Sequence, residues 1–273
     1  LTQYGGINVM VKYMEKLKIP QMFDKLFPTA KQNATKFSTT QVLLSFILGV
    51  IGGVKHMNRI ETFTKDSLIQ LILGIKKNID EDTFARRICK LGQSGAIHLH
   101  EALMKFNKNY LCESKLESLT LDLDSTEQTS YGNQEGTEVG YNPHKRGAKS
   151  YHPILCFVSE LKLLLNSWYR SGSTYTANGS VEFIKQTLAL IPENVKSVFL
   201  RADSGFFNGK LFDLLEDEGH TYLVKVKLKN LNNLLKLQDW KILPTDKSKA
   251  SCSFPYQAKA WSKRRTLHAI RVV

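Results

Sequence analysis

The sequence predicts a helical N-terminal region followed by a mixed sheet with flanking helices, an α+β / α/β organisation, and three observations predict it. Apolar residues recur at helical spacing up to about Leu111. Near Lys115 the period changes to strict alternation. From there the elements run strand, strand, strand, helix, strand, helix, strand. Hydrophobic residues fill 42% of the 273 positions, enough to bury a core in one large or two modest domains.

Residues 9–17 carry apolar side chains at helical spacing, and Thr39 or Thr40 can cap a run starting near Gln41. The most apolar stretch, residues 42–54 (VLLSFILGVIGGV), is shorter than the roughly twenty residues of a bilayer span and reads as a buried helix. Asp82 or Thr83 can cap TFARRICKL, and residues 96–111 fit a further helix, so residues 1–114 read as a helical domain. SLTLDLDS is the first strand. A polar, glycine-rich loop follows over 132–147, and SYHPILCFVS with ELKLLLNSWYR forms a hairpin turning at Ser159 and Glu160. Asn178 or Ser180 can cap a helix through Leu190, which Pro192 closes. KSVFLRAD is a strand ending in Asp203, NGKLFDLLEDEG an amphipathic helix stopped by Gly219, and HTYLVKVK a last strand. A three-stranded meander followed by βα units is the ribonuclease H-like order, here over residues 115–230. Residues 231–273 are a basic, partly strand-like insertion.

The net charge is +13, and it is uneven. Residues 224–273 hold twelve Lys or Arg against two acids, supplying ten of the thirteen excess charges. Such asymmetry suits a polyanion, most simply nucleic acid. Four scattered cysteines without a C-x-x-C pair fit a reducing compartment rather than a zinc knuckle or disulfide framework. The chain opens on Leu1 and closes on an apolar Ile-Arg-Val-Val, and both ends read as cuts.

Along SLTLDLDST, alternation sends Leu119, Leu121 and Leu123 to one face and Thr120, Asp122 and Asp124 to the other. In a ribonuclease H-like sheet the first strand is central and the strand ending in Asp203 lies beside it. Asp124 and Asp203 then approach each other across 79 positions of sequence. Two close carboxylates repel unless a cation lies between them, and oxygen ligands without His or Cys suit Mg²⁺ or Mn²⁺ better than zinc. Taken alone, an Asp at a strand end is more commonly a turn former or a solvated edge. Asp122 either supports Asp124 from one step deeper or simply belongs to the polar face.

LDLDST, YGNQEG, GYNPHKRGAKSYHP and FLRADSGFF, in this order over residues 119–226, resemble the DDE transposases of bacterial insertion sequences, particularly the insertion-sequence 1380 family. TFARRICKL resembles the helical domain of that group. The resemblance implies an enzyme that cuts and joins DNA at the ends of its own element, with two Asp and one Glu holding two divalent ions, Mg²⁺ or Mn²⁺. Asp124 matches the first Asp and Asp203 the second, as catalytic residues and metal ligands. The third carboxylate has no match, since Glu216 and Glu218 come too early on the helix after Asp203. It is expected beyond Val273, which leaves the catalytic fold C-terminally incomplete and this fragment inactive by itself. Double-stranded DNA, as terminal inverted repeats and target, is the expected partner, with a homodimer in the DNA complex, no membrane and a cytoplasmic, nucleoid-associated location.

Other residues carry two readings each. Gln134-Glu135-Gly136 and Tyr151-His152-Pro153 resemble family signatures, and for His152 a core or hydrogen-bonding position is preferred to a catalytic one. Lys145, Arg146 and Lys149 can hold phosphates beside the site or form a solvated loop. Lys225, Lys227 and Lys229 alternate with Val224, Val226 and Leu228, as a phosphate track or as an edge guarded by lysines. Arg86, Arg87 and the Lys263-Arg264-Arg265 cluster beside Trp261 are further DNA-contact candidates or plain solvated surface. The rival functions are a non-catalytic DNA-binding remnant and a metal-dependent nuclease without joining activity.

Overall fold

The computed structural model describes residues 2–28, 37–140, 142 and 145–273. The chain divides into two compact units, Leu1–Leu103 and Met104–Val273. Tyr141, Pro143 and His144 of the GYNPHKRG motif lie outside the described residues. No helix among the described residues is long and apolar enough to cross a membrane.

The described part of the first unit is helical: α1 (Ile7–Lys16), α2 (Ile19–Leu26), α3 (Thr39–Ile51), α4 (Ile60–Thr64), α5 (Ser67–Leu73) and the start of α6 (Glu81–Ser114). Ile7, Met14, Val42, Leu48, Ile60, Phe63, Ile69 and Phe84 form its core. α3 starts earlier than the Thr39-Thr40 cap predicts. Ser38 is the cap, in a reciprocal box with Gln41: Gln41 N donates to Ser38 Oγ at 3.1 Å and Ser38 N to Gln41 Oε1 at 2.9 Å. Nor is the apolar stretch buried all round, because Phe46, Val50 and Ile51 face outward while Val42, Leu43 and Leu48 face in. α6 is capped by Asp80, which accepts from Thr83 N at 2.7 Å, rather than by Asp82 or Thr83. Its helical geometry breaks at Gly92 (φ 55°, ψ −163°), between the two helices the sequence predicts.

The second unit is built on a five-stranded mixed sheet made of β1 (Ser118–Ser125), β5 (Ile154–Val158), β6 (Leu163–Trp168), β7 (Ser197–Ala202) and β8 (Thr221–Val224), in the order β6-β5-β1-β7-β8. The β5–β6 hairpin pairs antiparallel, β5 runs antiparallel to β1, and β1, β7 and β8 are parallel. This is the predicted meander followed by βα units, with α7 (Ser180–Leu188) and α8 (Gly209–Asp217) as the crossover helices. Leu119, Leu121 and Leu123 are buried with Ile154, Cys156, Val198 and Leu200 against Phe183 and Ile184 of α7 and Leu211 and Leu215 of α8. The helices therefore cover the leucine face. Thr120, Asp122, Asp124, Phe199, Arg201 and Leu223 occupy the opposite face, where Phe199 and Leu223 are exposed. α7 starts after Gly179 without a side-chain cap, so neither Asn178 nor Ser180 plays the predicted part.

Three short strands, β2 (Gln128–Thr129), β3 (Glu138–Val139) and β4 (Lys149–Tyr151), pair as β2-β4-β3 beyond the end of β1. After α9 (Leu231–Lys236), the basic tail forms a third sheet, β11-β10-β9, from β9 (Lys241–Leu243), β10 (Asp246–Tyr256) and β11 (Arg265–Val272). Phe212 of α8 packs with Cys252, Phe254, Trp261 and Leu267 of this segment.

Candidate active site

β1 and β7 pair in register with a constant offset of 79: Ser118 opposes Ser197, Asp122 opposes Arg201 and Leu123 opposes Ala202. The pairing ends there, one residue before Asp124 and Asp203, which therefore lie at the carboxyl ends of two neighbouring parallel strands, where sites in α/β sheets form. Neighbouring strands lie about 4.8 Å apart. Alternation from the buried Val198 and Leu200 puts position 203 on the face of Phe199 and Arg201, which is also the face of Asp122 and Asp124.

Both carboxylates are exposed, and each is braced by one backbone amide. Ser125 N donates to Asp124 Oδ1 at 2.8 Å and Gly205 N to Asp203 Oδ1 at 2.9 Å. No hydrogen bond or ion pair among the described residues takes the Oδ2 of either aspartate. Asp203 also caps the short 3₁₀ turn Ser204–Phe206. Gly205 is required there by packing: a Cβ would stand 2.8 Å from Thr176 Cγ2 and 3.0 Å from Asp203 Oδ1.

Asp122 is placed differently. Arg201 donates Nε to its Oδ1 at 2.6 Å and NH2 to its Oδ2 at 2.7 Å, a bidentate fork. The hydrogen bonds from Arg201 hold the Asp122 carboxyl below its ordinary pKa. Both of its oxygens are engaged across the strand pair, which distinguishes it from Asp124.

His152, buried after β4, accounts for the signature triplet. Its Nδ1 lies 2.8 Å from Thr174 O, an acceptor only, so Nδ1 carries the proton in the neutral ring. Nε2 then accepts from Ser125 Oγ at 3.2 Å, and Ser125 Oγ lies 3.3 Å from Thr176 Oγ1. The histidine thus fixes the residue following Asp124 to the loop against Gly205, the hydrogen-bonding position preferred from sequence. The same loop walls a cavity of about 820 Å³ whose lining includes His152, Thr174, Thr176, Asp203, Ser204 and Lys227. The Ser125, Thr174 and Thr176 contacts had no sequence signal, since they depend on a loop some fifty residues from Asp124.

The basic candidates separate. Lys225, Lys227 and Lys229 are all exposed and alternate with the half-buried Val224, Val226 and Leu228, although the paired strand ends at Val224. Lys227 reaches the cavity of Asp203. Lys145, Arg146 and Lys149 are exposed, with Lys145 Nζ 4.7 Å from the centre of the Tyr131 ring and Lys149 Nζ donating to Asn133 Oδ1 at 3.3 Å. Arg86 is exposed, whereas Arg87 donates to Phe37 O at 2.8 Å. Within the Lys263-Arg264-Arg265 cluster two of the three side chains are ion-paired. Arg265 is buried, donating Nε and NH2 to Glu216 at 2.8 and 2.9 Å and NH2 to Asp213 at 2.5 Å, with Trp261 and Phe212 rings beside it. Lys263 pairs with Glu216 at 2.8 Å, so only Arg264 of the three faces solvent unpaired among the described residues.

Two exposed carboxylates with free Oδ2 atoms on one sheet face fit an ion such as Mg²⁺, which binds through one or two carboxylates and keeps several waters. No group of three His, Cys, Asp or Glu that could hold a metal occurs among the described residues.

The piggyBac transposase, in a synaptic complex with hairpin DNA, is 13% identical over 92% of this chain with a TM-score of 0.44, and the chain spans 60% of that protein's length. The Mos1 mariner transposase, in a paired-end complex with Mn, is 12% identical over 78% of this chain and 67% of that one, with a TM-score of 0.29. No curated protein matches. The family model described as Transposase DDE domain group 1 matches residues 1–272, so the chain belongs to that family of DDE transposases.

Proposed function

We propose that this chain carries the first two carboxylates of a transposase that cuts DNA at the ends of an insertion sequence of the 1380 type and joins them to a target. The observation that supports this reading is the parallel register of β1 and β7, which ends at Leu123 opposite Ala202 and so leaves Asp124 and Asp203 as the next residue of each strand. On it the two aspartates are metal ligands and catalytic residues, Asp122 is a support neutralised by Arg201, and two Mg²⁺ or Mn²⁺ ions are held when the carboxylate set is complete. A bound divalent cation supplies Lewis-acid activation of water or a DNA 3′-hydroxyl and stabilises the leaving oxygen. The chain's own part is to hold both Oδ2 atoms outward, through the Ser125 and Gly205 amides and the His152–Ser125 contact.

Residues 1–114 contribute end binding or assembly in this reading, residues 115–230 the catalytic core, and residues 231–273 a basic insertion. Double-stranded DNA, bound by a homodimer at the nucleoid in the cytoplasm, is the partner. Lys225, Lys227 and Lys229 run as a phosphate track toward Asp203, and Lys145, Arg146, Lys149, Arg86 and Arg264 are the other exposed contacts. The exposed Lys225, Lys227 and Lys229 suit a second reading equally, a DNA-binding protein without cleavage. The transposase encoded by the complete gene separates them. With Mg²⁺ it should nick DNA bearing its own terminal repeats, and Asp124→Asn or Asp203→Asn should abolish nicking while leaving binding largely intact. Unchanged nicking in both variants would sink the assignment.

A further inference from the structure

The helical unit holds a second concave surface, distant in sequence from the aspartates. A cavity of about 710 Å³ lies between the N-terminal turn, α1 and the segment following α3, with Tyr4, Ile7, Met10, Lys55, His56 and Arg59 in its wall. No Asp or Glu lines it. Lys55, His56 and Arg59 are exposed, and no ion pair or hydrogen bond engages their side chains among the described residues. Their arrangement follows from the backbone. His56 caps the 3₁₀ turn Met57–Arg59, and Arg59 N donates to His56 O at 2.9 Å. The turn keeps His56 and Arg59 close in the chain, with Lys55 immediately before them, and all three line the same cavity.

Unpaired like charges held together around a concavity raise its positive potential, at some cost in mutual repulsion. An anion relieves that repulsion. The neighbouring ion pair underlines the contrast: Lys65, on the next turn, is neutralised by Glu61 at 2.7 Å. The floor is partly apolar, through Ile7, Met10 and Ile51, and Gly52 permits this closeness, since a Cβ there would meet Ile7 Cδ1 at 3.1 Å and Phe63 Cε2 at 3.2 Å. A cavity of this size accepts a sugar-phosphate segment rather than a lone ion.

We propose that Lys55, His56 and Arg59 form a phosphate-binding site for the backbone of duplex DNA. This rests on the reading of the chain as a DNA-acting transposase and gives the helical unit its own, sequence-independent contact. A Lys55→Gln/Arg59→Gln variant of the full chain, titrated with a labelled random-sequence duplex over a salt series, tests it. Both positions are exposed, so folding is checked by circular dichroism, and a Lys55→Arg/Arg59→Lys variant keeps the charge. The expected result is about a tenfold loss of affinity and a log–log salt slope shallower by about two in the Gln variant, with both retained in the charge-preserving one. Unchanged affinity and slope in a folded Gln variant, while Lys225→Gln/Lys227→Gln/Lys229→Gln weakens binding, would overturn this site and leave the transposase reading standing. A parent chain that binds no DNA at any salt would overturn both.

Discussion

Arg201 closes on Asp122 from the adjacent strand through two hydrogen bonds of 2.6 and 2.7 Å, one rung pair below Asp124 and Asp203. One polar strand face thus carries two kinds of aspartate, one neutralised within the sheet and one presented outward. The pair is partly solvated, with side chains 46% and 37% exposed, so it contributes little to stability. Arg201→Gln should therefore lower the urea midpoint only slightly. Its larger effect should be on the site: an unpaired Asp122 adds negative charge beside Asp124, and divalent-ion affinity measured by calorimetry should change while the far-ultraviolet circular dichroism spectrum does not.

Gly205 is predicted to be sensitive for a local reason. In Gly205→Ala the new methyl collides with Thr176 Cγ2 and Asp203 Oδ1, at 2.8 and 3.0 Å. Overpacking of this kind costs about 1–3 kcal/mol, and here it displaces a proposed ligand. Divalent-ion binding should weaken, and Thr176→Ser, which removes Cγ2, should restore part of it in the double variant.

The ion cluster on α8 makes stability depend on acid. Burial by itself raises the pKa of Glu216, but hydrogen bonds from Arg265, Lys263 and Tyr222 outweigh it and lower the value from 4.5 to about 2. Above the unfolded value the full stabilisation is present. As pH falls from 4.5 toward about 2, the unfolded chain takes up a proton that the folded chain refuses, and up to about 3 kcal/mol is lost. Urea unfolding across that window should show the loss in the parent and less of it in Glu216→Gln. Arg265→Ala, which removes a buried guanidinium and leaves the half-buried Asp213 and Glu216 less compensated, should lower the urea midpoint at neutral pH.

Thiol reactivity reports the sheet packing. Cys89 and Cys112 are exposed, Cys156 and Cys252 are buried, and burial pushes the Cys156 thiol far up. Two equivalents should react with a thiol reagent in the folded chain and four after denaturation. Rapid reaction of all four without denaturant would contradict the placement of Cys156 opposite Leu123.

Much of the five-stranded sheet was legible because period-two burial is a local property. Leu119, Leu121 and Leu123 announced a buried face, and the meander followed by βα units determined which strand would lie beside β1. The β1–β7 register sets Asp122 opposite Arg201, an ion pair the sequence analysis did not single out. The caps were not legible, since Ser38 and Asp80 compete in sequence with Thr39, Thr40, Asp82 and Thr83. Which oxygen meets an amide depends on backbone dihedrals. Arg265 misled for a tertiary reason: it reads as part of a basic run, but β11 turns it inward beside Trp261, onto carboxylates some fifty residues earlier. The His152–Ser125–Thr176 contacts are likewise closed by the fold alone.

In the proposed reading Asp124 and Asp203, and not Asp122, hold a divalent cation. Mn²⁺ titration followed by electron paramagnetic resonance tests it without requiring cleavage. The parent chain should deplete the free-ion signal saturably, Asp124→Asn and Asp203→Asn should each lose most of that binding, and Asp122→Asn should retain it. Identical titrations for the parent, Asp124→Asn and Asp203→Asn, with all three folded, would contradict the account.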